Sequence, residues 1–208
     1  MVSPPGATSV RSGAGFLIKN RWARKYIVTG AFLSSVTLLA SFFSLYAAST
    51  DVMDGDDVDF VLLFVNSGLI FGIIFWYSVN SFFGGRGMLL AGAAIGMLAT
   101  FACLVSQASD WWPRLGFLGA IMVMSALAAQ AVPPGLQSWL AREVSASEPS
   151  TITAVQAFFS ANIAVMGFAF SSIAQSGEYL WPVLVVLFVN LMALLTVSIY
   201  GHSRRQEK

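Results

Sequence analysis

Ser34, Thr37, Ser41 and Ser44 stand 3, 4 and 3 residues apart, a spacing that puts them on one face of an α-helix. They interrupt an apolar run. Each hydroxyl must therefore either bond a carbonyl of its own or a neighbouring helix, or form the wall of a solvated cavity. Asn66, Tyr77 and Asn80 share roughly one face of a second apolar run. Gln130, the pair Pro133-Pro134 and Gln137 stand together in a later one, and Gln156, Ser160, Gly167 and Ser171 recur near helical spacing in the next, with Asn162 beside them. A primary amide costs more to bury than a hydroxyl, because two donors and two lone pairs need partners. Asn66, Gln130, Gln156 and Asn162 are therefore the leading candidates, either as links between helices or as groups offered to a ligand.

Other chemistries lack their residues. No apolar run holds an ionisable group in its middle, and the single histidine, His202, lies near the C-terminus. A proton-driven carrier needs such a group within the membrane, so here a partner would have to supply it. No nucleophile–base pair, metal-ligand set or nucleotide loop is present, so neither an enzyme nor a cofactor is expected. Asp51, Asp54, Asp56, Asp57 and Asp59 crowd around Gly55, but their spacing does not fit a calcium-binding helix–loop–helix and reads as a solvated loop. Cys103, the only cysteine, can form no internal disulfide and reads as a small packing or lipid-facing residue.

The elements that carry these residues are apolar spans. Of 208 residues 57% are hydrophobic and 10% charged, with mean hydropathy +0.75. A soluble domain keeps roughly a quarter of its residues charged, so lipid is the expected solvent for most of this chain. The net charge of +1 gives no electrostatic basis for binding nucleic acid. Spans are expected at 26–48, 58–83, 88–107, 114–138, 152–174 and 180–200, each long enough for a hydrocarbon layer of about 30 Å. Residues 1–25 form a basic leader, 26–201 the membrane domain and 202–208 a short tail. Lys and Arg gather on one side: Arg11, Lys19, Arg21, Arg24, Lys25, Arg86, Arg142, Arg204, Arg205 and Lys208 against Arg114 alone. The positive-inside rule then places both termini in the cytoplasm of a multi-pass protein of the plasma (inner) membrane. Trp22, Tyr26, Trp111, Trp112, Trp139, Tyr179, Trp181 and Tyr200 fall near span ends, as an interfacial belt requires, with Trp76 and Tyr77 deeper. Gly68 with Gly72, Gly92 with Gly96, and Gly116 with Ala120 supply small-residue pairs for close helix contact. The third and sixth spans are nearly devoid of polar groups and are expected to face lipid.

Four polar spans and two apolar ones resemble one half of a major facilitator superfamily transporter, most of all the C-terminal half of its drug and sugar efflux branch. Pro133-Pro134-Gly135-Leu136-Gln137 followed by Ala141-Arg142 looks like the family's Pro-x-Leu-Gln stretch before a basic loop. The run from Ala154 to Gly167, with Asn162 inside it, is similar to the family's small-residue fifth helix. Gly84-Gly85-Arg86-Gly87 sits where its Gly/Arg-rich cytoplasmic loop belongs. The resemblance covers Arg21 to Tyr200. It departs from the pattern in two places: no acid stands in Asn80-Ser81-Phe82-Phe83 to latch an arginine, and Ala164 replaces a glycine.

The resemblance implies an all-α integral membrane fold, with six transmembrane helices arranged as two three-helix inverted repeats. It implies transport of a small molecule by alternating access, around a cavity lined by Ser34, Thr37, Ser41, Asn66, Gln130, Gln156 and Asn162. Gly84, Gly85 and Arg86 would belong to the cytoplasmic gate. Alternating access needs two halves, so a second six-helix half is expected, as a homodimer or a separate chain. Residues 1–20 are similar to the linker that joins the halves in full-length relatives, so a truncated gene is a further possibility. The half length and the missing acid equally fit a non-transporting subunit that stabilises or assembles another membrane complex.

Overall fold

The computed structural model describes residues 21–49, 58–109, 115–143, 149–176 and 180–202. These stretches are α-helical: α1 (Arg21–Thr37), α2 (Leu39–Ser49), α3 (Val58–Ala108), α4 (Leu115–Glu143), α5 (Pro149–Ala174) and α6 (Trp181–His202). The first apolar run is thus two helices meeting at Leu38 with a 43° bend. At the break the Leu38 amide bonds the Ser35 carbonyl at 3.1 Å, a tighter turn than the α-helical one. Ser34 Oγ donates to the Gly30 carbonyl and Thr37 Oγ1 to the Ser34 carbonyl, so these hydroxyls close on their own helix.

At 51 residues α3 would run about 76 Å if straight, more than twice a hydrocarbon thickness. It is not straight. Gly84 adopts φ 67° and ψ −176°, a backbone region open in practice only to glycine, and the chain reverses there. The reversal can be read from how each arm lies on α4. Along the first arm (58–83), Phe64 meets Gly119, Gly68 meets Val123 and Ala126, and Gly72 meets Gln130, so this arm runs parallel to α4. Along the second (85–108), Gly85 meets Ser138, Gly92 meets Ala131 and Gly96 approaches Ala128, so this arm runs antiparallel. Glycine allows both approaches: a Cβ on Gly68 would lie 2.6 Å from the Val123 carbonyl oxygen, and one on Gly92 2.5 Å from Ala131 Cβ.

Four helices are long and apolar enough to cross a membrane, and the bent α1–α2 pair makes a fifth such stretch. The core gathers around that pair, which packs against α4, α5 and α6. Leu33, Val36, Leu39, Phe43 and Tyr46 are wholly buried. Phe42 lies parallel to Tyr46 at 5.8 Å and edge-on to Phe170 at 5.6 Å, binding α2 to α5.

The two spans expected to face lipid do expose apolar side chains, Leu98 and Phe101 on the one and Phe188 and Ile199 on the other, but they are not the most exposed. The first arm of α3 is the most exposed, with Ile73 70%, Tyr77 81% and Phe82 82% open, and α5 is also largely exposed. The second arm of α3, by contrast, buries Leu89, Ala93, Ala99, Thr100, Cys103 and Ser106 completely. Its glycines and alanines bring it against α4, and hydropathy counts such small residues only weakly. Gly116 faces open space and Ala120 is exposed, so that pair makes no close helix contact among the described residues.

Candidate functional site

The candidate residues divide into those that link helices and those that line clefts. Asn162 on α5 donates from Nδ2 to Ser34 Oγ at 2.7 Å and to the Ala31 carbonyl at 3.1 Å. Ser34 is buried, so this is a structural bond between α5 and α1. Gln130 Nε2 donates to the Leu69 carbonyl at 2.7 Å, joining α4 to the first arm of α3, and its Oε1 lies against Gly72, which leaves no room there for a Cβ. Thr37 is half-buried and satisfied by its own helix. Ser41, Asn66 and Gln156 are exposed. Among the described residues of this chain the seven are thus not gathered at one place: Gln130 and Gln156 line different clefts.

Two clefts open on neighbouring faces of α4. One, of about 310 Å³, opens between α1, α4 and α5 and is lined by Tyr26, Pro133, Gln137, Gln156, Phe159 and Ser160 among others. The other, also about 310 Å³, lies between α4 and the first arm of α3, lined by Gly72, Trp76, Tyr77, Asn80, Gln130 and Pro134 among others. The adjacent prolines sit one in each cleft. Neither has an amide hydrogen, so the carbonyls of Ala129 and Gln130 receive no donor from four residues on. Each cleft thus combines aromatic walls with neutral amides. Among the described residues, neither is lined by a charged side chain.

Local bonds hold these walls in place. Tyr26 donates its hydroxyl to the Leu136 carbonyl at 3.2 Å and meets Trp139 edge-on at 5.3 Å, so α1 and α4 are fixed at the end of the first cleft. Trp76 Nε1 donates to the Leu127 carbonyl at 2.7 Å and holds the second cleft's wall. Of the expected gate residues, Gly84 makes the chain reversal and Gly85 is buried, where a Cβ would lie 2.6 Å from Ser138 Oγ. Arg142 brings its guanidinium to 3.4 Å from where a Gly84 Cβ would stand, with Arg86 two residues further along the chain.

A second polar cluster was not anticipated. Ser35 Oγ donates to Asn190 Oδ1 at 2.7 Å, and Asn190 Nδ2 donates to Thr100 Oγ1 at 2.9 Å. All three residues are wholly buried, and they tie α1, α6 and the second arm of α3 together. An amide midway along the most apolar helix of the chain was the available signal, because hydrocarbon offers it no partner.

The acidic loop from Asp51 to Asp57, together with Arg114, Trp111, Trp112, Glu178 and the leader up to residue 20, lies outside the described residues. Among the described residues, Arg21, Arg24, Lys25, Arg86 and Arg142 stand at one end of the bundle, and Asp59 begins the first arm of α3 at the other.

These features define, over the described residues, an all-helical protein with several helices long and apolar enough to cross a membrane. Uncharacterized proteins of Mycobacterium tuberculosis and Mycobacterium bovis are 30% identical to it over 179 residues, which is 83% of this chain and 33% of theirs. The chain therefore spans about a third of the length of the curated relatives it matches. No family model and no solved structure matches it.

Proposed function

We propose that this chain is a six-helix half of a major facilitator-type transporter, embedded in the cytoplasmic membrane, that moves a small uncharged molecule by alternating access together with a second half. Counting the arms of α3 separately and α1–α2 as one gives six apolar segments, in the order the resemblance requires. The collection of Lys and Arg at one end supports cytoplasmic termini. The observation that carries the transport reading is the cleft between α1, α4 and α5. Gln137, Gln156 and Ser160 offer neutral hydrogen-bonding groups there, on a chain otherwise sparing of polar side chains. The mycobacterial relatives extend well beyond the matched third, which is length enough for a second half. In this mechanism the Pro133-Pro134 interruption lets α4 bend as the cleft opens and closes. Ser160 and the two glutamines hold the cargo while the partner half supplies any titrating acid.

A second reading, an accessory subunit of another membrane complex, is favoured by the way Asn162 and Gln130 spend donors on neighbouring helices, Asn162 on the Ser34 hydroxyl and Gln130 on the Leu69 carbonyl. Transport assayed in cells or proteoliposomes against a panel of neutral amphipathic compounds tests the choice. Gln156→Leu with Ser160→Ala should abolish uptake or efflux while the protein stays folded. Unchanged transport by this variant removes the cleft as the site. No transport by any preparation, with stable co-purification of an unrelated membrane complex, favours the subunit.

A further inference from the structure

The basic end of the bundle gathers residues distant in sequence. The start of α1 brings Arg21, Arg24 and Lys25, with Arg21 and Arg24 exposed; the Gly84 reversal brings Arg86; and the last turn of α4 brings Arg142, also exposed. Contacts put these three places around one helix end: Tyr26 bonds the Leu136 carbonyl on one side of α4, and Gly84 and Gly85 lie against Arg142 and Ser138 on the other. Five cations thus stand at the end of the bundle where α4 terminates, and Glu143 is the one acid among the described residues there. The half-buried Trp139, held edge-on by the buried Tyr26, supplies beside them an amphipathic ring of the kind that settles at headgroup depth.

We propose that this end is a binding surface for anionic phospholipid, with the headgroup phosphates held between Arg86 and Arg142 on one flank of α4 and near Arg24 and Lys25 on the other. The recognised chemistry is a phosphodiester at the membrane surface. Each basic side chain near an anionic leaflet contributes about fivefold to lipid partition, and the attraction decays within a Debye length. Cations spread over three helix ends, rather than in one flexible tail, fix the headgroups relative to the bundle. The inference rests on membrane insertion alone and not on transport.

The test uses the full chain reconstituted in nanodiscs of phosphatidylcholine with and without phosphatidylglycerol, reading bound lipid by native mass spectrometry. Wild type should enrich phosphatidylglycerol over its bulk fraction, and Arg86→Gln with Arg142→Gln should lower that enrichment by an order of magnitude or more. Equal enrichment in the double variant, or none in wild type, overturns the proposal. If the double variant does not incorporate, the wild type decides: enrichment should fall steeply between 50 mM and 1 M NaCl, and salt-independent enrichment refutes the surface. Competition by free glycerol phosphate at millimolar concentration would also overturn it, since that marks a soluble-anion pocket. A chain that fails to enter nanodiscs at all contradicts the membrane reading instead, so the two failures are distinguishable.

Discussion

Replacing Asn190 by leucine isolates the energy of the buried Ser35–Asn190–Thr100 bridge. Leucine keeps the number and branching of side-chain heavy atoms, so the packing around position 190 is nearly preserved and the two interhelical hydrogen bonds are lost. Neither hydroxyl is then stranded. Ser35 Oγ lies 2.6 Å from the Phe32 carbonyl and Thr100 Oγ1 2.9 Å from the Gly96 carbonyl, so each falls back on its own helix. The cost is therefore that of two helix-to-helix bonds in hydrocarbon, which average about 0.6 and reach about 1.7 kcal/mol each. A total of roughly 1–3 kcal/mol follows. Asn190→Ala should cost more, because it also opens a cavity where no atom is exposed. Reversible unfolding in mixed detergent micelles measures both. A cycle with Ser35→Ala should give a coupling on the order of 0.5–1.5 kcal/mol. Full wild-type stability of Asn190→Leu, or zero coupling with Ser35→Ala, would refute the clamp.

Gly68→Val should lower the thermal midpoint in detergent by several degrees, since its Cβ would lie 2.6 Å from a backbone oxygen and overpacking costs about 1–3 kcal/mol. Gly116→Ala, with nothing within 4 Å, should stay within about 0.5 kcal/mol of wild type; the reverse order of these two would contradict the packing of the first arm of α3 on α4. Gly84→Ala should cost about 1–3 kcal/mol for placing a Cβ in that nearly glycine-only region, seen as a lower unfolding midpoint. Asn162→Leu should reduce stability along with any transport, because it breaks the bond to Ser34. Gln156→Leu, exposed in its cleft, should reduce transport with stability unchanged. Equal losses of stability in those two variants would remove the distinction between link and lining.

Much of the architecture was open to reading before any coordinates. Long apolar runs can satisfy their backbone polar groups within themselves only as helices, so helix positions follow from hydropathy. The runs from 58 to 83 and 88 to 107 were separable because Gly84-Gly85 is a glycine pair bounded by Arg86. The structure confirms a reversal there, at a φ only glycine readily holds. The grouping of Arg21, Arg24, Lys25, Arg86 and Arg142 at one end was likewise visible, since charge position along a chain of spanning length fixes which end a residue occupies. Partners were not. Ser34, Gln130 and Asn162 had the right residue types for a cavity. Whether an amide faces a cleft or a neighbour's carbonyl depends on the rotation of each helix about its axis, set by packing between residues more than a hundred positions apart. The same contacts buried the second arm of α3, whose Gly92 and Gly96 carry little hydropathy but let backbones approach, and left the first arm exposed. They also completed the Ser35–Asn190–Thr100 bridge, of which only Asn190, an amide in an apolar helix, stands out within its own helix. Composition and periodicity determined what each helix had to hide, and close packing decided which neighbour hid it.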